Sequence, residues 1–313
     1  MTTGSPSAAT PGGAGGTAAS LRGVVHLYPS SDGDVVALRG VDLDVRPGES
    51  VALLGPSGAG KSTVLGLLAG NFVASSGQVL VGDEDIGRMS GDRLARLRAT
   101  QVSLVVQGAD NNLLPYATAT ENLWFAQQGV RHRQGRHDRT PRELLELFGL
   151  TAMAERPAGR LSSGQCQQIA VLAGIAPGPR LLLLDEPTSR LGPADRDEVV
   201  DLVARISAEL GTTVVVVTHD PAVAERMTRT VTIRDGRVGA ESRHGIEHVK
   251  VGRDGLIHLS VDALEILPPD SLVEIARVGD HVEIRPARTP EAAARDRLPQ
   301  IDPADHIDPG GPS

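Results

Sequence analysis

Gly55-Pro56-Ser57-Gly58-Ala59-Gly60-Lys61-Ser62 decides how this chain is read. The pattern is G-x-x-x-x-G-K-S, a phosphate-cradling loop, and it sits where its mechanism needs it. Ser50-Val51-Ala52-Leu53-Leu54 before it is a short apolar run, the mark of a buried strand. The residues from Ser62 to Gly70 are Leu-rich and helix-forming, and Gly70-Asn71 ends them. Strand, glycine turn and helix start together aim backbone N–H groups and the positive end of a helix dipole at a phosphate. Gly55, Gly58 and Gly60 let the backbone approach without a Cβ in the way. Lys61 is then expected to hold β- and γ-phosphates, and the Ser62 hydroxyl to bind Mg2+. The competing reading, a chance glycine turn before a helix, does not account for the strand that precedes it.

Working outward, a second apolar strand ends in acid: Leu181-Leu182-Leu183-Leu184-Asp185-Glu186. A carboxylate at the end of a strand beside a phosphate loop lies next to the phosphates. Asp185 is expected to hold Mg2+, directly or through water, and Glu186 to polarise an attacking water as general base. Gln107 closes the short strand 102–106, and its amide could reach Mg2+ or water. His219 follows Thr212 to Val217 and could hydrogen-bond a γ-phosphate. Each of these two is weak evidence alone, since a single His at a strand end is often structural.

The bulk numbers are compatible with this chemistry and exclude others. The 313 residues carry a net charge of −8, so no basic surface announces nucleic acid. Aromatics are 2% of the chain, which makes the core aliphatic. Only Lys61 and Lys250 are lysines among 31 basic residues; a lysine kept at position 61 against that arginine bias suggests arginine will not serve there. The single cysteine, Cys166, rules out an internal disulfide and fits a reducing cytosol. No stretch approaches the roughly 18 apolar residues of a membrane span, and no signal pattern opens the chain.

Along the chain, residues 1–20 are expected to be a disordered tail, rich in Gly, Ala, Ser, Thr and Pro. Residues 22–28 and 35–45 alternate apolar and polar, as antiparallel strands do. Helices are expected over 91–98, 118–128 with a Thr118–Glu121 capping box, 141–147, 163–176, 193–209 and 221–227. Strands alternating with helices give an α/β fold with a mainly parallel sheet covered on both faces. The mostly helical block from about 88 to 176 reads as an inserted subdomain. The arginines and histidines of 131–139 read as a solvated connector, with a lipid or partner contact as the minority alternative. Residues 241–285 read as a small β-rich appendage, and 286–313 as a second disordered tail.

The order of motifs resembles an ABC-type ATPase over about residues 22–240: the phosphate loop, Gln107, Leu161-Ser162-Ser163-Gly164-Gln165, Asp185-Glu186-Pro187-Thr188 and Thr218-His219-Asp220. Arg93 to Arg98, Asn112-Leu113-Leu114-Pro115 and Thr120-Glu121-Asn122 are similar to the lipoprotein-release and macrolide-export branch. The resemblance implies a P-loop core with an antiparallel β subdomain and a helical insertion. It implies ATP as substrate with Mg2+, bound by Gly55, Pro56, Ser57, Gly58, Ala59, Gly60, Lys61, Ser62 and Thr63, with Tyr28 stacking on adenine. It also implies a head-to-tail homodimer or heterodimer in which Ser162, Gly164 and Gln165 of one chain meet the ATP of the other. Gln107 and the loop through Tyr116 are then expected to touch a multi-span permease on a separate chain, leaving this chain cytoplasmic and peripheral on the inner face of the membrane. A soluble ABC ATPase acting on nucleic acid or a protein assembly is the alternative.

The chain departs from the family at Ser163, Cys166, Gln168 and Gly192, all on the surface that would complete a partner's site. That implies slow hydrolysis in a homodimer, or a heterodimer with unlike sites. A packed thiol is favoured over a redox-sensitive one for Cys166. Arg253 to Leu259 followed by Gly279 to Ile284 resembles the swapped-hairpin domains of AbrB-like regulators. Its few basic residues favour dimerisation or regulation over DNA binding, and a plain β extension is a third option.

Overall fold

The computed structural model describes residues 18–31, 33–131, 139–243, 246–249, 251, 255, 257, 259 and 261–287. The strands are β1 (Ala19–Tyr28), β2 (Val35–Val45), β3 (Ser50–Leu54), β4 (Ser76–Val81), β5 (Glu84–Asp85), β6 (Val102–Val105), β7 (Leu181–Asp185), β8 (Thr213–Thr218), β9 (Arg229–Arg234), β10 (Arg237–Arg243), β11 (Ile246–Val249), β12 (Val273–Val278) and β13 (His281–Pro286). The helices are α1 (Lys61–Leu68), α2 (Gly91–Thr100), α3 (Ala119–Arg131), α4 (Pro141–Leu147), α5 (Ser163–Ile175), α6 (Pro193–Leu210), α7 (Pro221–Glu225) and α8 (Val261–Ile266). The chain divides into two compact units, Met1–His258 and Leu259–Ser313.

In the first unit a seven-stranded sheet runs in the order β11-β10-β9-β3-β8-β7-β6. The five strands from β9 to β6 are parallel, and β10 and β11 are antiparallel. β7 and β8 are continuous Leu and Val runs because both faces of a parallel sheet are covered. Side chains alternate across the pleat, so each strand serves two cores. Leu181, Leu183, Val215 and Val217 pack with α1 and a second, antiparallel sheet of order β2-β1-β4-β5. Leu182, Leu184, Val214 and Val216 pack with residues of α3, α4, α5, α6 and α7. The sheet is thus a wall between two aliphatic cores, and the phosphate loop opens from its central strand, β3.

Three expectations are corrected. The large sheet continues past 240, because Ala240 to Arg243 of β10 pair with Val249 to Ile246 of β11. The first strand starts at Ala19, within the expected tail, because Ala19 to Leu21 pair with β2 and β4 on either side. The block 88–176 is mostly helical, but it is not all inserted, since the strand expected at 102–106 forms as β6 and pairs with β7 at the edge of the large sheet. The rest of the expected tails, residues 1–17 and 288–313, and the connector residues 132–138 lie outside the described residues, as do several residues of the Arg253 to Leu259 segment, Leu256 and His258 among them.

In the second unit, α8 precedes a β12–β13 hairpin closed at Gly279, whose φ is 62°. Cross-strand partners share a face, so Val273, Ile275, Val282 and Ile284 lie on one face together with Arg277, while Glu274, Glu283 and Arg285 lie on the other. Among the described residues no helix is long and apolar enough to cross a membrane.

Candidate active site

The phosphate loop is held open by contacts that only glycine permits. A Cβ on Gly55 would lie 2.1 Å from the Ile233 carbonyl oxygen. Gly60, at φ 97°, would meet the Ala37 oxygen at 2.6 Å and Leu38 at 2.7 Å. Gly60 is also the residue before α1, so no side chain caps that helix, and no acid stands in its first turn. Its leading N–H groups therefore suit an anion. Lys61 is buried and donates from Nζ to the carbonyls of Gly55 (2.7 Å) and Pro56 (2.8 Å). Burial lowers its pKa, against the opposing pull of Glu186 and Asp185.

The carboxylates arrive from the neighbouring strands. Ser62 Oγ donates to Asp185 Oδ1 at 3.1 Å. Burial pushes the Asp185 carboxyl above its ordinary value, and Glu186 adds to the rise, while the Ser62 hydrogen bond and Lys61 oppose it. Glu186 turns into the left-handed region at φ 47°, with its N–H fixed on the Val217 carbonyl at 2.9 Å. That turn brings Glu186 Oε2 within 2.8 Å of His219 Nδ1. Gln107 is one step away: its Nε2 donates to Ser189 Oγ at 3.3 Å. Tyr28 is 40% exposed and its hydroxyl lies 3.2 Å from Thr63 Oγ1, with His26 edge-on at 4.7 Å.

Lys61, Ser62, Asp185, Glu186 and His219 are therefore gathered at one end of the parallel strands, with Gln107 attached through Ser189. The paired Ser62 and Asp185 oxygens could hold a hard cation such as Mg2+, which takes one or two carboxylates beside substrate phosphates. No cluster of three or more His, Cys, Asp or Glu among the described residues would hold a metal by itself.

Ser162, Gly164 and Gln165 stand apart. No hydrogen bond or ion pair among the described residues joins them to Lys61, Ser62, Asp185, Glu186 or His219. Ser162 caps α5 in a reciprocal box with Gln165. Gly164 is so close to α6 that a Cβ would lie 2.4 Å from Asp195 Cγ. The half-buried Cys166 thiol contacts the Ala158 carbonyl at 3.1 Å, and burial, then Asp110, raise its pKa, which disfavours the thiolate. Gln168 Nε2 donates to Glu198 at 3.2 Å.

Sequence reasoning missed Ser189 and Asp195. Ser189 sits directly after the acid motif, where its small hydroxyl gave no distinct signal. Asp195 in the first turn of a helix is so ordinary a choice that it drew no attention.

Known proteins align with this arrangement. The ABC transporter family model matches residues 38–189. The lipoprotein-releasing system ATP-binding protein LolD of Anaeromyxobacter dehalogenans is 39% identical over 231 residues, covering 72% of this chain and 93% of LolD. LolD of Ruegeria pomeroyi is 40% identical over 225 residues, covering 71% and 97%. The macrolide export ATP-binding/permease protein MacB of Chromobacterium violaceum is 36% identical over 229 residues, which are 72% of this chain and only 35% of that longer protein. An ATP-binding cassette solved as a dimer in a post-hydrolysis state, bound to ADP and Pi, superposes with a TM-score of 0.62 at 29% identity, over 72% of this chain and 98% of its own.

Proposed function

The chain belongs to the ABC transporter family, as an ATP-binding and hydrolysing subunit, and from that premise we propose which residues act and on what partner. The observation that carries the proposal is the convergence of Lys61, Ser62, Asp185, Glu186 and His219 at the open end of β3, β7 and β8. The loop Gly55 to Ser62, with Thr63, cradles the triphosphate, and Lys61 supplies its charge to the β- and γ-phosphates. Tyr28 gives its exposed ring to adenine while Thr63 holds its hydroxyl. Ser62 and Asp185, with Gln107 beyond them, would hold Mg2+, which would supply positive charge to neutralise the phosphates. Glu186 orients the attacking water and accepts its proton, and His219 fixes the Glu186 carboxylate.

The second half of each site comes from another cassette. Ser162, Gly164 and Gln165 at the N-terminus of α5 present N–H groups to the γ-phosphate of the facing chain. Their separation from the chain's own phosphate loop supports this, and so does the dimeric state of the related cassette. ATP closes the pair and hydrolysis reopens it.

The partner is a multi-span permease on a separate chain. Buried Asn122 bonds Leu114 through both its N–H and its carbonyl, and bonds the Ala117 and Thr118 carbonyls. The loop after Gln107 is thereby rigid, and it presents Tyr116 at 78% exposure, with Trp124 and Phe125 of α3 also exposed. Large exposed apolar side chains on one fixed segment favour a protein partner. The names of LolD and MacB favour transport over action on nucleic acid or a soluble assembly.

The experiment is a pull-down from detergent-solubilised membranes with Glu186→Gln, which arrests hydrolysis with ATP in place. A multi-span protein recovered with the chain is expected. Recovery of only soluble protein or nucleic acid would overturn the permease reading.

A further inference from the structure

The turn from Glu186 to Gly192 bridges two regions that the site keeps apart. At its start, Glu186 is fixed on Val217 and contacts His219. In its middle, Ser189 donates its N–H to the Glu186 carbonyl at 3.1 Å and accepts from Gln107. The Leu191 N–H closes on the Thr188 carbonyl at 3.2 Å. At its end, α6 begins, and Asp195 in its first turn packs on Gly164 of the Ser162–Gln165 segment. The turn therefore runs from the chain's own carboxylates to the surface that faces a second cassette.

Arg190 sits at the exposed tip of that turn. It is held at φ 68°, a backbone region that a side chain of this size rarely adopts. Its guanidinium makes no hydrogen bond or ion pair among the described residues, although acids are plentiful nearby in sequence. Asp197 and Asp220 are both taken by Arg196 instead. This unspent arginine stands on a tightly bonded turn whose far end, at Asp195, packs on the segment that would meet a phosphate, and its free guanidinium suits an anion.

We propose that Arg190 is a catalytic residue in trans: its guanidinium contacts the phosphates of the nucleoside triphosphate bound to a second copy of this chain. The contact is charge-assisted and bidentate in the manner of arginine with phosphate. The inference rests on the two-cassette reading above and adds a residue to it.

The test uses purified full-length chain and ATP turnover. Arg190→Gly removes the guanidinium and is at ease at positive φ, so folding is not at stake; Arg190→Lys keeps charge without the planar fork. Turnover is expected to fall about tenfold or more in Arg190→Gly, with partial recovery in Arg190→Lys. Mixed dimers isolated through two different tags then assign the side. In each, one chain carries Glu186→Gln, so that only its mate's site hydrolyses. Placing Arg190→Gly on the Glu186→Gln chain should reproduce the loss, and placing it on the hydrolysing chain should not. Full turnover in Arg190→Gly, or a loss that follows the hydrolysing chain, overturns the proposal. The two-cassette reading is checked separately by size-exclusion chromatography of Glu186→Gln with ATP. A monomer there defeats both readings, whereas a dimer whose turnover ignores Arg190 defeats only this one.

Discussion

Nδ1 of His219 lies 2.8 Å from Oε2 of Glu186, so the residue after β8 steadies the carboxylate after its neighbour β7. The pair exists because the two strands are adjacent and parallel and both end at the same level. The side chain of His219 is 66% exposed and that of Glu186 is 14% exposed, so the acid is sheltered while the imidazole faces outward. Replacing His219 with Ala should leave ATP affinity within about threefold and lower turnover about a hundredfold, the range of general-base assistance. Equilibrium nucleotide binding beside steady-state phosphate release separates the two effects. An equal loss in both would mean that His219 only binds.

Asp185 gives a prediction about pH. Its carboxyl is raised in the fold above the ordinary 3.8, so the fold favours the neutral form. The stability it contributes is complete below its ordinary pKa and is lost as pH rises through the raised one. Asp185→Asn should therefore melt about 2 °C or more higher at neutral pH without nucleotide, with the advantage fading toward acid. The same variant should lose Mg2+-dependent turnover. Thermal melts across pH 3 to 8 check the first statement, and a flat difference across that range would contradict it.

Gly164 separates the two halves of the catalytic arrangement. An alanine Cβ there would press on Asp195 and force α5 from α6. Gly164→Ala should bind ATP as one chain with unchanged affinity yet fail to form the ATP-dependent dimer when combined with Glu186→Gln. Light scattering with ATP reads the outcome, and a dimer of normal stability would remove Gly164 from the interface.

Tyr28 tests the base-binding side. Tyr28→Phe keeps the ring and loses only the 3.2 Å contact with Thr63, so ATP affinity should change less than about threefold. Tyr28→Ala should weaken it about tenfold or more, because ring contact is the dominant part. Calorimetry with ATP and with inorganic triphosphate would show the loss only for ATP.

Arg229 carries a stability prediction away from the chemistry. Its side chain is 4% exposed and reaches Glu241 at 2.9 Å, Glu49 at 3.5 Å and the Asp44 carbonyl at 2.6 Å. It thereby joins β9 and β10 to the turn before β3. Arg229→Ala leaves Glu241 without this partner and Glu49 with the Arg46 N–H at 2.9 Å, and should cost about 3 kcal/mol. Urea unfolding measures it, and a cost below about 1 kcal/mol would mean that the carboxylates relax to water.

The residues that sequence made legible are those whose chemistry and position coincide. The Leu run of β7 and the Val run of β8 are strands by composition and end in Asp185 and just before His219. The Thr118–Glu121 box is visible in four residues and forms as read, with the Thr118 N–H donating to Glu121 at 2.8 Å. What escaped depends on backbone shape or distant pairing. Nothing in the letters of Glu186 and Arg190 signals a left-handed φ, which glycine or asparagine would have announced. β11 is four residues long, and only its pairing with β10 makes it a strand. Asp195 gains meaning only because Gly164, from another helix, packs on it.

The central strand also sets an order of assembly during synthesis. β3, which launches the phosphate loop, is flanked by β8 and β9, both far later in the chain. Gly236 follows β9 and closes the loop's rear wall, donating to the Ala59 carbonyl at 3.2 Å and accepting from the Arg39 N–H at 2.8 Å. A ribosome releases the GPSGAGKS segment early and the residues that brace it more than 150 positions later. A nascent chain paused before Gly236 carries every phosphate-binding letter and no finished cradle. Nucleotide capture thus waits on synthesis through Gly236: a chain truncated before that residue is expected to leave ATP in the pool and full-length chains free to pair.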